Sequence, residues 1–252
     1  MLDSITPVVL TRNEAPNIGR TLAQLRWARE VLVVDSLSTD DTLKIARAFP
    51  NVRVIQRPFD DLATQWIFAM RHVDTPWVLA LDADYFVPEA FITEVAALEP
   101  DSDVSGYEVT FRYAVAGRPL RASLYPPHPV LVRRDRTTFA MDGHAHRVRV
   151  TGCVIPLNEP IIHDDRKSLG AFIHRQRRYM REEAHKLRTT DSRQLKSVGR
   201  IRKWRVIAPL VIVPYVLFFK GLILDGRAGL HYAFERFLAE VILSWELTFG
   251  PR

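Results

Sequence analysis

Short apolar runs alternate with stretches of helical spacing over the first hundred residues. Ile5 to Leu10 reads as a strand, and Ala15 to Leu25 as a helix with Ile18, Leu22 and Leu25 on its apolar side. The Val-rich run Val31 to Val34 ends at Asp35 and precedes a short helix over Thr42 to Phe49. A third strand over Val52 to Ile55, a helix over Leu62 to Met70 and a fourth strand over Trp77 to Leu81 follow. Pro88, suited to a first helical turn, introduces a helix over Phe91 to Leu98. This β-α-β-α order, with nearly continuous apolar strands, predicts an α/β fold whose mostly parallel sheet carries helices on both faces. Ligands of such sheets sit beyond the carboxyl ends of the strands. Thr11, Asp35 and Asp82 fall at those ends.

Beyond Val104 the pattern loosens. Tyr107 to Tyr113, Val130 to Arg133 and Val148 to Val150 read as strands between Pro- and Gly-bearing loops, and Leu169 to Leu187 as a helix. Val206 to Leu224 carries a single charge, Lys220, and two prolines, Pro209 and Pro214. Its length is at the lower edge of what spans a bilayer, and the prolines favour an interfacial or re-entrant arrangement. A last helix after Asp225-Gly226-Arg227 puts Leu230, Phe234, Phe237, Leu238, Val241, Ile242 and Trp245 on one side, with Glu235, Arg236 and Glu240 largely elsewhere. Two core helices packed on the preceding domain are the competing reading.

Composition narrows the classes. With 252 residues and 47% hydrophobic content the chain has material for a core, which excludes wholesale disorder. The single cysteine, Cys153, cannot form an internal disulfide, and Met1-Leu2-Asp3-Ser4 lacks the basic and apolar regions of a secretory signal. A cytoplasmic protein is expected. The net charge of +6 is concentrated: Arg166 to Arg205 holds 14 Lys/Arg against Glu182, Glu183 and Asp191. Basic residues running directly into an apolar tail predict contact with an anionic membrane surface. A nucleic-acid partner is not expected, because the stretch has few aromatics for base stacking.

The chemistry centres on Asp82-Ala83-Asp84, which follows an apolar strand. Two carboxylates one residue apart offer hard oxygen ligands to a divalent cation bridging phosphates. Asp101-Ser102-Asp103 repeats the string after Glu99-Pro100 and reads as a solvated turn. Three stretches then occur in order: Thr11-Arg12-Asn13-Glu14, Val33-Val34-Asp35-Ser36 with Ser38-Thr39-Asp40-Asp41-Thr42, and Leu81-Asp82-Ala83-Asp84. Together they resemble glycosyltransferase family 2, inverting enzymes of the GT-A (Rossmann-like) fold. Within it the chain is similar to small bacterial lipopolysaccharide-core β-1,4-glucosyltransferase-like enzymes, a likeness extended by His163-Asp164-Asp165-Arg166-Lys167-Ser168 and by Lys220-Gly221-Leu222, Asp225-Gly226 and Gly229-Leu230.

The resemblance implies a catalytic domain over 1–165, with a nucleotide-sugar half (1–100) and an acceptor half (101–165), then basic and apolar membrane-associating helices over 166–252. It implies that Thr11 and Glu14 line the nucleotide pocket, that Asp35 contacts the base, typically uracil, and that Asp82 sits near ribose and metal. Asp84 would bind Mg²⁺ or Mn²⁺ directly, with the late His163 as a further ligand. Gln65 is a weaker donor-site candidate that also reads as a surface helix residue, and capping or turn roles compete for Thr11, Glu14 and Asp35. An attacking hydroxyl needs a general base. Where relatives carry a His-Glu pair this chain has His146-Arg147, so Asp142 stands in, with His144 or His146 as alternatives to serve as base or metal ligand. Asp164 is another candidate base, or an orienting partner of His163. The acceptor expected is a glycolipid or envelope glycan; the alternatives are a polyprenyl phosphate, whose charge Arg166 and Lys167 would bind, and an inactive nucleotide-sugar binder.

Overall fold

The structure, a computed structural model, describes residues 1–142, 145–195 and 197–250, and for Asp142, Ala145 and His146 the main chain only. It divides into two compact units: Met1–Ala114 with Leu124–Met141 and His146–Arg166, and Val115–Ser123 with Asp142–Ala145 and Lys167–Arg252.

The first unit begins β1 (Ile5–Thr11), α1 (Ile18–Ala23), β2 (Val31–Asp35), α2 (Thr42–Ala46), β3 (Val52–Gln56), α3 (Leu62–Met70) and β4 (Trp77–Asp82). Then come β5 (Tyr85–Phe86), α4 (Glu89–Ala96), β6 (Val104–Val109) and β7 (Phe111–Val115). After β8 (Arg118–Pro119), which belongs to the second unit, follow β9 (His128–Arg133), β10 (Thr137–Asp142), β11 (Ala145–Val150), β12 (Cys153–Pro156) and β13 (Ile161–His163). Seven strands form the main sheet in the order β12-β6-β9-β4-β1-β2-β3. β1 runs parallel to β2 and β4, β2 to β3 and β12 to β6, while β9 lies antiparallel to β4 and β6. β10 and β11 pair as a ribbon, and β13 lies between β5 and β7 in a smaller sheet.

The apolar strand runs follow from two-sided burial. Alternate residues leave the pleat on opposite faces. Val9, Val33 and Leu79 enter one core cluster with Ile18, Leu22 and Phe91, whereas Val8, Leu32 and Val78 enter another with Trp66 and Met70. The helix α3 starts where Asp61 caps it, its Oδ1 accepting the Thr64 N–H at 2.8 Å.

Two strand expectations change. The run Tyr107 to Tyr113 is two strands parted at Thr110, β6 in the main sheet and β7 beside β13, because the chain leaves one sheet for the other there. β12, four residues with Pro156 at its end, carries no alternation that would announce it. It forms the outer edge of the main sheet, where a proline costs no ladder bond.

The helices of the second unit are α5 (Leu169–Thr189), α6 (Ser197–Lys203), α7 (Ile207–Pro214) and α8 (Arg227–Phe249). Pro214, which has no N–H to give, passes α7 into a wide π-type turn over Tyr215–Phe219 and then a tight turn over Leu222–Asp225. Gly221 and Gly226, at φ +71° and +57°, make the two left-handed corners. A Cβ on Gly229 would lie 1.8 Å from the Leu222 carbonyl oxygen, so only glycine admits this approach to α8. At the opposite end Ser244 Oγ lies 2.6 Å from the Arg205 carbonyl oxygen. The chain from Arg205 to Asp225 therefore folds back along α8 as a hairpin.

The apolar stripe of α8 is only partly covered within its unit: Phe237, Leu238 and Ile242 are part-buried, and Ile242 packs against the cluster of Met180, Leu187 and Leu243. Leu230, Phe234, Val241 and Trp245 are exposed, while Ala233, Ala239, Leu243 and the carboxylates Glu240 and Glu246 are buried. The buried carboxylates are paired. Arg202 pairs with Glu240 and Glu183, Arg181 pairs with Glu246, and Arg188 donates to the Glu246 carbonyl oxygen. Part of the basic stretch is thus neutralised within the unit. Among the described residues no helix is long and apolar enough to cross a membrane.

Candidate active site

Register brings the sequence candidates to one rim. Thr11 pairs with Asp35 across β1 and β2, and Leu10 with Asp82 across β1 and β4, so three adjacent parallel strands end together. Thr11 is 4% exposed, and its buried Oγ1 has no hydrogen-bond partner.

Asp35 has no exposed surface. Its Oδ2 accepts the Ser38 N–H and Gln56 Nε2, both at 3.0 Å, and Oδ1 accepts the Ser38 hydroxyl. In this conformation the carboxylate anchors the loop after β2 instead of presenting an open face to a base. That loop is cross-braced to the one after β1. Ser38 Oγ accepts the Asn13 N–H at 2.8 Å, Asn13 Oδ1 accepts the Thr39 N–H at 2.8 Å, and Thr42 Oγ1 accepts the Glu14 N–H at 2.7 Å. Asn13 adopts φ +53°, the left-handed region that asparagine tolerates best among side-chain-bearing residues.

Gln65 is a brace, not a surface residue. At 1% exposure, it donates from Nε2 to Ser36 Oγ at 2.8 Å and accepts Arg57 Nη1 on Oε1 at 3.0 Å. Arg57 N–H in turn bonds the Asp35 carbonyl oxygen, which closes the circuit behind the loop.

Asp82 ends β4, and Asp84 sits in the turn into β5. His163, at the end of β13, meets Asp84 through Nε2 and Oδ2 at 3.0 Å. Both side chains are largely enclosed. Burial works against charge on the imidazole, but the charge and hydrogen bond of Asp84, with Asp82 and Asp165 behind it, prevail and raise the His163 pKa above 6.5. Tyr85, Tyr113 and Tyr125 ring the imidazole at centroid distances of 5.4, 4.6 and 5.5 Å. Tyr85 and Tyr125 share a hydroxyl contact of 2.9 Å, and burial pushes both phenols upward, so both stay protonated at neutral pH.

Among the described residues no three His, Cys, Asp or Glu side chains form a group that holds a cation unaided. The carboxylates of Asp82 and Asp84 offer oxygen ligands to a cation that keeps part of its shell for substrate phosphates, as Mg²⁺ does in phosphate chemistry, and His163 stands beside them as a nitrogen donor. The second copy of the acidic string, Asp101-Ser102-Asp103, is an exposed turn ahead of β6.

Asp164 is buried, and its Oδ2 accepts hydrogen bonds from the guanidinium groups of both Arg20 and Arg166. A carboxylate oxygen held this way is committed to structure. Arg166, expected to bind an acceptor phosphate, is engaged in the same pairing. Of the other candidates for the base, His144 and the side chains of Asp142 and His146 lie outside the described residues. The sequence reading missed Asn17, Arg20 and Thr21, all on or beside α1. Asn17 and Arg20 meet partners more than a hundred residues away, and no local pattern signals such pairs.

The family model for glycosyl transferase family 2 matches residues 6–155. A glycosyltransferase of Rickettsia felis of uncharacterized function is 37% identical over 84 residues, 33% of this chain and 29% of that protein. The lipopolysaccharide core biosynthesis glycosyltransferase LpsC of Rhizobium meliloti is 26% identical over 136 residues, 52% of this chain and 48% of that protein. The chain therefore spans less than half the length of these two relatives. Among solved structures, the mannosyltransferase PcManGT of Pyrobaculum calidifontis, in complex with GDP-Man and Mn²⁺, superposes with a TM-score of 0.55 at 17% identity, covering 99% of this chain and 88% of that one. That likeness extends to the fold, a mixed and mostly parallel α/β sheet of the GT-A type. With more than half of its length matched by the family model, the chain belongs to glycosyltransferase family 2.

Proposed function

We propose that this family 2 glycosyltransferase is an inverting, metal-dependent enzyme that moves a sugar from a nucleoside diphosphate sugar, first of all a UDP-sugar, to a glycolipid or envelope-glycan acceptor at a membrane surface. The observation that carries the reading is the common rim: Thr11, Asp35 and Asp82 at the ends of adjacent strands, with Asp84 against His163 beside them.

In this reading Thr11, through its unsatisfied hydroxyl, and Glu14 line the nucleotide pocket. Asp35 and Gln65 hold the loop on which the base rests. Asp84 and His163, with Asp82 toward the ribose, hold Mg²⁺ or Mn²⁺. When bound, the cation offsets the charge that develops on the departing diphosphate. An acceptor hydroxyl attacks the anomeric carbon on the face opposite the diphosphate, which inverts its configuration, and Asp142 is assigned to take the proton. Asp164, tied to two arginines, is assigned a positioning role. The polyprenyl-phosphate alternative draws less support because Arg166, its expected phosphate contact, is already paired.

Most of the large apolar side chains that the described residues leave exposed lie beyond Ser197, among them Trp204, Val206, Leu210, Phe218, Phe219, Leu224 and Trp245. Their nearness in sequence to Arg200, Lys203, Arg205 and Lys220 supports peripheral attachment to an anionic leaflet, which we assign to the cytoplasmic face of the cell membrane. Co-sedimentation with phosphatidylglycerol vesicles is expected to weaken as salt rises and to fall sharply in a Phe218→Ser, Phe219→Ser, Leu224→Ser variant. Sedimentation indifferent to anionic lipid and to these changes removes the membrane assignment.

The donor assignment is tested by calorimetric titration of the protein with UDP- and GDP-sugars, with and without Mn²⁺. GDP belongs in the panel because PcManGT holds GDP-Man. Saturable, Mn²⁺-dependent binding of one UDP-sugar is expected. Binding of GDP-sugars alone would replace the assigned base, and no binding at all would remove the reading.

A further inference from the structure

The turn that presents Asp84 is braced from behind by α1. Thr21 Oγ1 lies 2.6 Å from the Ala83 carbonyl oxygen and 2.8 Å from that of Tyr85, so one hydroxyl spans both sides of Asp84. The Asp164 N–H donates to the Asp84 carbonyl oxygen at 3.0 Å. Asp164 is itself clasped: Arg20 donates from Nη1 to its Oδ2 at 2.8 Å and from Nη2 to its carbonyl oxygen at 2.7 Å. Arg166 adds Nε at 2.8 Å and Nη2 at 2.7 Å to the same Oδ2. Asn17, fully buried, locks the assembly: its Oδ1 accepts Arg20 Nη2 and the Arg166 N–H, both at 2.9 Å, and its Nδ2 reaches Glu14 Oε2 at 2.8 Å and Asp165 Oδ1 at 3.0 Å.

We propose that Arg20 is a positioning residue for the cation site: by gripping both the side chain and the main chain of Asp164, it fixes the Asp84 turn against β13 and holds Asp84 and His163 face to face. The proposal rests on the assignment of Asp84 and His163 as cation ligands. Its physical core is the planar guanidinium fork, which meets two acceptors on one residue and a third on Asn17. A lysine offers a point charge with no fixed fork and satisfies this arrangement only in part. Buried at 3% exposure, the Asp164 carboxylate needs its cationic partners to remain charged there. Without Arg20 it retains Arg166 but loses the bond that ties its carbonyl oxygen to α1. The same clasp ends on Glu14, so one arginine connects the expected nucleotide loop with the expected cation site.

A merely stabilising clasp would lower the melting temperature and leave the cation site as it was. Arg20→Met, Arg20→Lys and Asp164→Asn separate the two. The first readout needs no cation: amide exchange at Asp164, followed by NMR in the metal-free protein, is expected to quicken at least about tenfold in Arg20→Met. The second is Mn²⁺ affinity in saturating UDP, measured by electron paramagnetic resonance. It is expected to weaken about 10- to 100-fold in Arg20→Met, as for other residues that hold a metal ligand in place, with partial recovery in Arg20→Lys. If Arg20→Met does not fold, Asp164→Asn, which keeps the main-chain N–H and the side-chain shape, is expected to show the same loss of Mn²⁺ affinity. Folded Arg20→Met with wild-type exchange and wild-type Mn²⁺ affinity overturns the proposal, as does Asp164→Asn with unchanged Mn²⁺ affinity. Wild-type protein that takes up no Mn²⁺ with UDP overturns the ligand assignment, and this proposal falls with it.

Discussion

Replacing Asp84 by alanine is expected to lower metal-dependent turnover of the donor by on the order of 10³-fold, since a cation stabilises a developing diphosphate charge by several kcal/mol and each 1.4 kcal/mol is a factor of ten. The expectation follows from its surroundings. Asp84 lies in a turn held on both sides by Thr21, on its carbonyl by Asp164, and on its carboxylate by His163. Three residues, from α1 and the end of β13, converge to aim one side chain. Asp103→Ala is the matched control, because that carboxylate is the second of the same Asp-x-Asp pattern in an exposed turn. Diphosphate release from the donor, assayed with Mn²⁺ and after chelation, measures the effect. An Asp84→Ala enzyme within tenfold of wild type, or a wild-type rate indifferent to chelator, would remove Asp84 from the chemistry.

The other large effect is expected at Asp35. Alanine there strips the acceptor from the Ser38 N–H, the Ser38 hydroxyl and Gln56 Nε2 in a fully buried position. Stranded donors cost about 1–3 kcal/mol each, and with partial relaxation of the loop the expected loss of stability is about 3 kcal/mol. UDP affinity is expected to fall with it, because the loop that Asp35 anchors also holds Asn13 and Glu14 in place. Asp35→Asn keeps the volume and can keep its amide oxygen on the Ser38 N–H and Gln56 Nε2 while its N–H₂ turns to the Ser38 hydroxyl, which accepts as well as donates, so it should lie nearer to wild type than alanine does. Urea unfolding and calorimetric titration with UDP measure both effects. Wild-type midpoint and affinity in Asp35→Ala would show that the loop is organised by something else.

The part of the molecule that carries the rim was legible in the chain because its signals are local. Strands buried on both faces read as continuous apolar runs, and the ends of those runs placed Thr11, Asp35 and Asp82 at one rim. What the pattern could not convey was direction and partnership. Asp35 at a strand end looks the same whether it faces a pocket or folds back onto Ser38 and Gln56. Gln65 on a helix looks like a surface residue until Ser36 and Arg57 close around it. A helical wheel separates the two sides of α8 without saying which is inward, and it cannot show that Arg202 and Arg181 meet Glu240 and Glu246 there. Arg20 and Asp164 are 144 positions apart, and no spacing rule reaches that far.

The glycine at position 229 has a consequence for the membrane attachment proposed for this hairpin. With Leu222 lodged against the start of α8, the corner of the hairpin is set before any encounter. A peptide that coils only upon touching lipid must surrender its conformational freedom at that moment, and its affinity is reduced accordingly. A wedge whose shape already exists gives up little, so its association should be quick and its heat capacity change should report surface removed from water, with no contribution from folding.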